Sequence, residues 1–295
     1  MAKKSYSSLV KEELCAVKFK EDEARAEIAA MILFGENISD GNIMLKTDHA
    51  EIAARIQVAY KKSTKEEIPI DILSGRKNFC VNIKADVAEM LGVYFSDFGD
   101  IELDEDVYET DETKRAFLRG AFVISGTITN PLKGYSCELL TFNQNMAYLA
   151  SEILENFNIK ANTVKRNNYY VTYLKDRNSV FDFLNIVGAH SSMMEMMVTQ
   201  IEKDLNNRSN REGNCRAANL DKTISASAKQ CQAILKLQNS HIWSKLDDET
   251  KTLALLRVEN YDLSLSEIGK RMTPEMTKSS VNRRMNKLIE LSEEL

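Results

Sequence analysis

Between Thr277 and Ile289 the sequence places four basic residues, Lys278, Arg283, Arg284 and Lys287, and no acidic one, interleaved with Ser279, Asn282 and Asn286. These side chains suit the reading of a DNA duplex. Arg pairs bidentately with guanine, Asn does so with adenine, and Lys and Arg neutralise phosphates. Val281, Met285 and Leu288 recur at i, i+4 and i+7, so on a helix they turn inward and leave the polar set outside near the helix start. Thr273-Pro274-Glu275-Met276 reads as a turn before that helix, and Thr277 as its cap. Upstream, Ser264-Leu-Ser-Glu267 is a capping box that starts a helix through Arg271, and Asp248 to Glu259 is an earlier helix with Leu253, Leu256 and Val258 as its apolar positions. The expectation is a helix-turn-helix over residues 246–295 that binds double-stranded DNA. Its candidate contacts are Ser264, Lys278, Ser279, Asn282, Arg283, Arg284, Asn286 and Lys287.

The charge distribution agrees with that placement. The whole chain carries a formal −5, but from residue 201 onward 16 basic residues meet 14 acidic ones, so the acidity lies in the first 200 residues. Phosphate attraction depends on local positive density, which puts DNA contact towards the back. Residues 201–245 read as a helical linker, polar and rich in Asn, with Arg208, Arg211, Arg216, Lys222, Lys229 and Lys236. One long helix is expected there, beginning near Asn214, with Ala217, Ile224, Ala228, Cys231 and Leu235 at helical spacing.

The elements that must carry this module form an internal repeat. Glu23 to Phe34 and Glu112 to Ile124 read as helices rich in small and apolar residues, and each leads into a short β segment with a turn, Asp40-Gly41 and Asn130 to Gly134. A strand (Ile43 to Thr47), a helix (His49 to Lys61), two strands (Ile68 to Leu73 and Phe79 to Ile83) flanking Ser74-Gly75, and a helix closing at Gly92 follow the first. A strand (Tyr135 to Phe142), a helix (Asn143 to Asn156), two strands (Ile159 to Lys165 and Tyr169 to Leu174) flanking Asn167-Asn168, and a helix closing at Gly188 follow the second. The fold class is therefore α+β, a tandem pseudo-twofold αββαββα repeat over about 23–100 and 112–190, followed by the all-α helix-turn-helix. Ala26 matches Ala116, Ala30 matches Gly120 and Phe34 matches Ile124 at one constant offset. Small residues four apart on both helices allow their backbones to approach closely.

Arg115-Ala-Phe-Leu-Arg-Gly-Ala-Phe-Val-Ile-Ser-Gly126 resembles the LAGLIDADG helix of homing endonucleases, in which an acidic residue closing each central helix holds divalent metal over the scissile phosphates. The resemblance aligns that acidic position with Ser125, and the repeat offset aligns its mate with Gly35. Neither can replace a carboxylate as a ligand for a hard cation, so the domain over residues 1–200 is expected to be a degenerate, non-catalytic LAGLIDADG-like domain. Glu36, one residue on, would restore a single ligand. The whole chain further resembles the WhiA family of bacterial regulators. That likeness rests on Ser8-Leu-Val-Lys-Glu-Glu-Leu14, Arg115 to Gly126, Tyr173-Leu-Lys-Asp176, Ile186-Val-Gly-Ala-His190, Asn214-Cys-Arg-Ala-Ala-Asn219 and Lys278-Ser-Ser-Val-Asn282.

The resemblance implies a DNA-binding transcriptional regulator linked to cell division and chromosome segregation, and to sporulation in relatives. It implies no enzyme activity. Two alternatives stay open: an accessory factor of RNA polymerase or a sigma factor, and a residually active endonuclease acting through Glu36. Another regulator is a further candidate partner. His49, His190 and His241 are too scattered in sequence for a metal claim, no cofactor is expected, and the five cysteines form no C-x-x-C pair. The charged start and the lack of an apolar run near the roughly 20 residues of a membrane span predict a cytoplasmic, nucleoid-associated protein with no membrane partner.

Overall fold

The computed structural model describes residues 4–35, 38–39, 42–73, 78–95 and 101–295. Helix α1 (Tyr6–Cys15) opens the chain, its first turn capped by Ser5, whose hydroxyl accepts the Ser8 amide. A first αββαββα cycle follows: α2 (Glu21–Gly35), β1 (Ile38–Ser39), β2 (Asn42–Thr47), α3 (Ala50–Thr64), β3 (Asp71–Leu73), β4 (Asn78–Lys84) and α4 (Ala85–Met90). A hairpin of β5 (Val93–Phe95) and β6 (Ile101–Leu103) and a short 3-10 turn (Glu105–Tyr108) lead to the second cycle. That cycle comprises α5 (Asp111–Ser125), β7 (Thr127–Ile128), β8 (Cys137–Thr141), α6 (Gln144–Asn156), β9 (Asn162–Arg166), β10 (Tyr169–Leu174) and α7 (Arg177–Val187). The remaining helices are α8 (His190–Gln238), α9 (Ile242–Lys245), α10 (Asp248–Glu259), α11 (Leu265–Arg271) and α12 (Lys278–Glu293).

The repeat is borne out in its order and its sheets. Strand order is β1-β2-β4-β3 in one four-stranded sheet and β7-β8-β10-β9 in the other, and the ladders are antiparallel. The Asp40-Gly41 and Ser74-Gly75 turns lie outside the described residues. Helix α1 and the β5–β6 hairpin were not anticipated from the sequence. The chain divides into two compact units, residues 1–202 and 203–295.

Helices α2 and α5 pack at very close range. A Cβ added to Gly120 would lie 2.2 Å from the Glu27 carbonyl oxygen and 3.1 Å from Ala30 Cβ, so only glycine fits the crossing. Ala26, Ala30 and Ala116 are fully buried beside it. The Glu27 side chain is also fully buried. Arg55 grips it bidentately, with Nε to Oε1 at 2.6 Å and Nη2 to Oε2 at 2.8 Å, and Arg119 Nε donates to Oε2 at 2.8 Å. Arg55 Nη1 continues to the Cys15 and Val17 carbonyls, and Arg119 Nη1 to that of Val187. One carboxylate on α2 thereby ties together α3, α5, the end of α1 and the end of α7.

Helix α8 starts at His190 rather than near Asn214. Its first amides have a partner supplied from far upstream: Glu13 accepts from the Ser191 and Ser192 N–H groups at 2.6 and 2.9 Å and from the Ser192 hydroxyl at 2.6 Å. Burial opposes ionisation of Glu13, but these hydrogen bonds outweigh it and hold the carboxyl below its ordinary value. Gly213 sits in the helix interior without a stop, since an isolated glycine costs only about 1 kcal/mol there.

The crossing sets two expectations. Gly120→Ala requires the Glu27 carbonyl to move and should destabilise the first unit by about 1–3 kcal/mol, as overpacking does. Glu27→Leu leaves two buried guanidinium groups uncompensated and should cost about 3–5 kcal/mol. Urea unfolding followed by circular dichroism measures both, and an unchanged midpoint in either variant would refute the role given to that residue.

Candidate nucleic-acid interface

The second unit builds one core from Ile234, Leu237, Leu253, Ala254, Ile268, Met272, Val281, Met285 and Leu288. Helix α12 therefore turns Val281, Met285 and Leu288 inward, as its spacing predicts. Its start is capped by Thr277, whose hydroxyl accepts the Ser280 amide at 3.3 Å. The turn before it is tight: a Cβ on Gly269 would lie 2.3 Å from the Met276 carbonyl oxygen, and the Met276 N–H donates to the Gly269 carbonyl at 2.9 Å. Entry into α11 is fixed by the anticipated box. The Ser264 hydroxyl accepts the Glu267 amide, and the Ser264 amide donates to Glu267 Oε2 at 2.9 Å. The hydrogen bonds from Ser264 hold the Glu267 carboxyl below its usual range.

Arg257, which the sequence reading passed over, is the largest fully buried side chain of the chain's described residues. Its Nη1 donates to the Leu263 carbonyl at 2.6 Å and the Asn260 carbonyl at 3.4 Å, which fastens the link between α10 and α11. Burial pulls its pKa below the ordinary arginine value.

The expected contact residues divide by position on α12. With 3.6 residues per turn, Ser279, Arg283, Asn286 and Lys287 point most directly away from the inward apolar stripe, while Lys278 and Arg284 flank it. Lys278, Ser279, Asn282, Arg283, Asn286 and Lys287 are all exposed. Lys278, Ser279 and Asn282 line one groove with Leu265 and Thr277. Arg283, Arg284, Asn286 and Lys287 line another that also contains Asp247 and Thr250. Within that second groove Arg284 is already engaged: its guanidinium reaches Glu249 at 2.5 Å, Thr250 Oγ1 at 2.8 Å and Asp247 at 3.3 Å. It clasps α12 to the start of α10. Asp247 also caps α10, accepting the Thr250 amide at 2.7 Å and the Thr250 hydroxyl at 2.8 Å. The Thr250 amide and hydroxyl, with help from Arg284, hold the Asp247 carboxyl below its ordinary value. Ser264 is half-buried and its hydroxyl serves the capping box.

In the first unit, neither position aligned with a nuclease carboxylate can supply one. A Cβ on Gly35 would meet Leu45 Cδ2 at 2.7 Å and Ile124 Cγ1 at 2.8 Å, and the Ser125 hydroxyl donates back to the Ala121 carbonyl at 3.1 Å. Glu36 lies outside the described residues. Elsewhere in this unit the fold does gather one histidine with acids. Ligand atoms of Glu12, His49 and Glu51 lie within 4.8 Å of one another, although the Lys4 ammonium pairs with Glu12 at 2.5 Å. Among the described residues no helix is long and apolar enough to cross a membrane.

Two family models match the chain from residue 114 to residue 292. The WhiA LAGLIDADG-like domain matches residues 114–206, and the WhiA C-terminal HTH domain matches residues 209–292. A protein of Ruminiclostridium cellulolyticum named probable cell division protein WhiA is 33% identical, over 99% of this chain and 98% of that protein. One of Clostridium botulinum with the same name is 31% identical over the same shares. The crystal structure of full-length DUF199/WhiA from Thermotoga maritima matches with a TM-score of 0.59 at 23% identity, covering 99% of each chain, which is a likeness of fold.

The Asp247 cap yields a pH-dependent expectation. Asp247→Ala should cost the second unit about 1 kcal/mol near neutral pH. The folded-state pKa is depressed, so this contribution is fully present above the unfolded carboxylate value and disappears as pH falls through the folded one. Denaturant titrations of both proteins at neutral and at strongly acid pH test it. A penalty that persists undiminished in acid would contradict the charge-based account of the cap.

Proposed function

The chain belongs to the WhiA family, and from that premise we propose that it is a sequence-reading regulator that binds duplex DNA and acts in cell division and chromosome segregation, without nuclease activity. The observation that carries this reading is the exposed start of α12. There Ser279, Asn282, Arg283, Asn286 and Lys287 project from a helix whose opposite side is locked into the core of the second unit. A rigid helix with Arg and Asn on its outer N-terminal surface offers donors to guanine and adenine edges in the major groove. Arg283 lies one turn after Ser279, in position to read a base. Lys287 lies a further turn on, where the helix leaves the groove beside a phosphate. Arg284 holds the helix in place through α10 instead of reaching for DNA. The name carried by the relatives supports a role in cell division, and the acidic charge of the first 200 residues favours a protein partner over extensive phosphate contact there.

The loss of catalysis rests on the two helix ends. Gly35 and Ser125 offer no carboxylate, and the space at Gly35 is filled by Leu45 and Ile124.

Two measurements test the proposal. Binding of Arg283→Ala and Lys287→Ala to a specific and a scrambled duplex is compared across a salt series. Arg283→Ala should lose about 1–3 kcal/mol on the specific duplex only. Lys287→Ala should weaken both duplexes alike and reduce the salt slope by about one unit. Equal losses on both duplexes for Arg283→Ala would reduce α12 to an electrostatic anchor. Separately, supercoiled plasmid incubated with the protein and Mg²⁺ or Mn²⁺ should stay intact, and metal-dependent cleavage would overturn the non-enzymatic reading.

A further inference from the structure

The fold of the first unit brings together three metal-ligating groups that the chain keeps far apart. Glu12 lies on α1, whereas His49 and Glu51 stand at the start of α3, and their ligand atoms lie within 4.8 Å of one another. Glu12 and His49 are half-buried and Glu51 is exposed. His49 occupies the N-cap position of α3, yet its side chain caps no amide. Its Nε2 has Ser8 Oγ at 3.4 Å and Asp48 Oδ1 at 3.5 Å, both longer than an ordinary hydrogen bond, so the ring can take a closer partner. The two helices that supply the donors are already fixed to each other. Arg55, one turn after Glu51 on α3, donates to the carbonyl of Cys15 at the end of α1 at 3.2 Å. The spacing of the donors is thus set by the same buried arginine that grips Glu27.

A cation already answers this cluster. The Lys4 ammonium lies 2.5 Å from Glu12 Oε1, and the hydrogen bond to Glu12, with the charges of Glu12 and Glu51, holds Lys4 above the ordinary lysine pKa. Lys4 precedes α1 and its side chain is 56% exposed, so it can yield Glu12 to a competing ion. Oxygen ligands alone would suit Mg²⁺ or Ca²⁺, which take six or more of them. The imidazole changes the selection. One nitrogen with two carboxylate oxygens suits Zn²⁺, which takes four ligands in tetrahedral geometry, here three from the protein and one water. The cluster opens on a groove lined also by Ile72 and Phe79, which leaves room for that water.

We propose that Glu12, His49 and Glu51 form a binding site for a zinc ion, which displaces Lys4 from Glu12 and clamps α1 to the start of α3. The site belongs to the first unit and does not depend on DNA reading by α12. The test is isothermal titration calorimetry of the full chain, stripped of metal by a chelator, with Zn²⁺ and separately with Mg²⁺. Wild type should bind Zn²⁺ and take up Mg²⁺ far more weakly. Outer-shell partners of a metal are alone worth about tenfold in affinity, so His49→Ala and Glu12→Gln, which remove ligands, should each weaken Zn²⁺ binding by roughly tenfold or more. Lys4→Ala removes the competing ammonium and should tighten Zn²⁺ binding, a gain that misfolding cannot produce. Absence of Zn²⁺ binding, an affinity unchanged in His49→Ala and Glu12→Gln, or weaker binding by Lys4→Ala would each overturn the proposal.

Discussion

The first unit depends on a single carboxylate. Glu27 lies where α2 and α5 approach so closely that Gly120 cannot gain a methyl group, and its side chain pairs with both Arg55 and Arg119 in the same buried space. A buried charge left alone is expensive, so the three residues are stable only as a set. Because Arg55 belongs to α3 and Arg119 to α5, the set fixes how the two repeats join, and each repeat's sheet takes its position from that junction. The symmetry of the backbone is not matched in chemistry: the residue of α5 equivalent to Glu27 is Phe117, which packs edge-on against Phe34.

Much of this was legible in the sequence for a definite reason. Helix packing leaves a local periodic signature, so the recurring small residues of α2 and α5 announced both the repeat and its close crossing. The inward stripe of α12 was readable in the same way from Val281, Met285 and Leu288. What escaped were contacts between residues far apart in the chain. Glu27 with Arg119, Glu13 with Ser192 and Arg284 with Asp247 follow no local period, and each charged member taken alone reads as a solvated surface charge. The start of α8 was missed for that reason, since its cap comes from α1. The same holds for the set of candidate DNA contacts, from which Arg284 is drawn aside by partners that no spacing rule reveals.

The two units answer different physical demands. The second presents cations and amides on a helix backed by a small apolar core, and its basic balance suits a polyanionic ligand. The first has a LAGLIDADG-like architecture, and the ends of α2 and α5 contain a glycine packed against Leu45 and a serine bonded back to its own helix. Neither helix end therefore supplies a carboxylate.

Arg257 has a bearing on how such recognition proceeds. Its guanidinium, fully enclosed, holds the carbonyls of Asn260 and Leu263 and so fixes the loop that aims α11, with α12 following through the tight turn at Gly269. The module therefore has little shape left to acquire when it meets a ligand. Modules that must fold on a ligand surrender part of their interaction energy to ordering themselves, whereas here the ordering is completed during folding. The helices are thus set in their relative positions before any ligand is met, and adaptation at the encounter is left to exposed side chains.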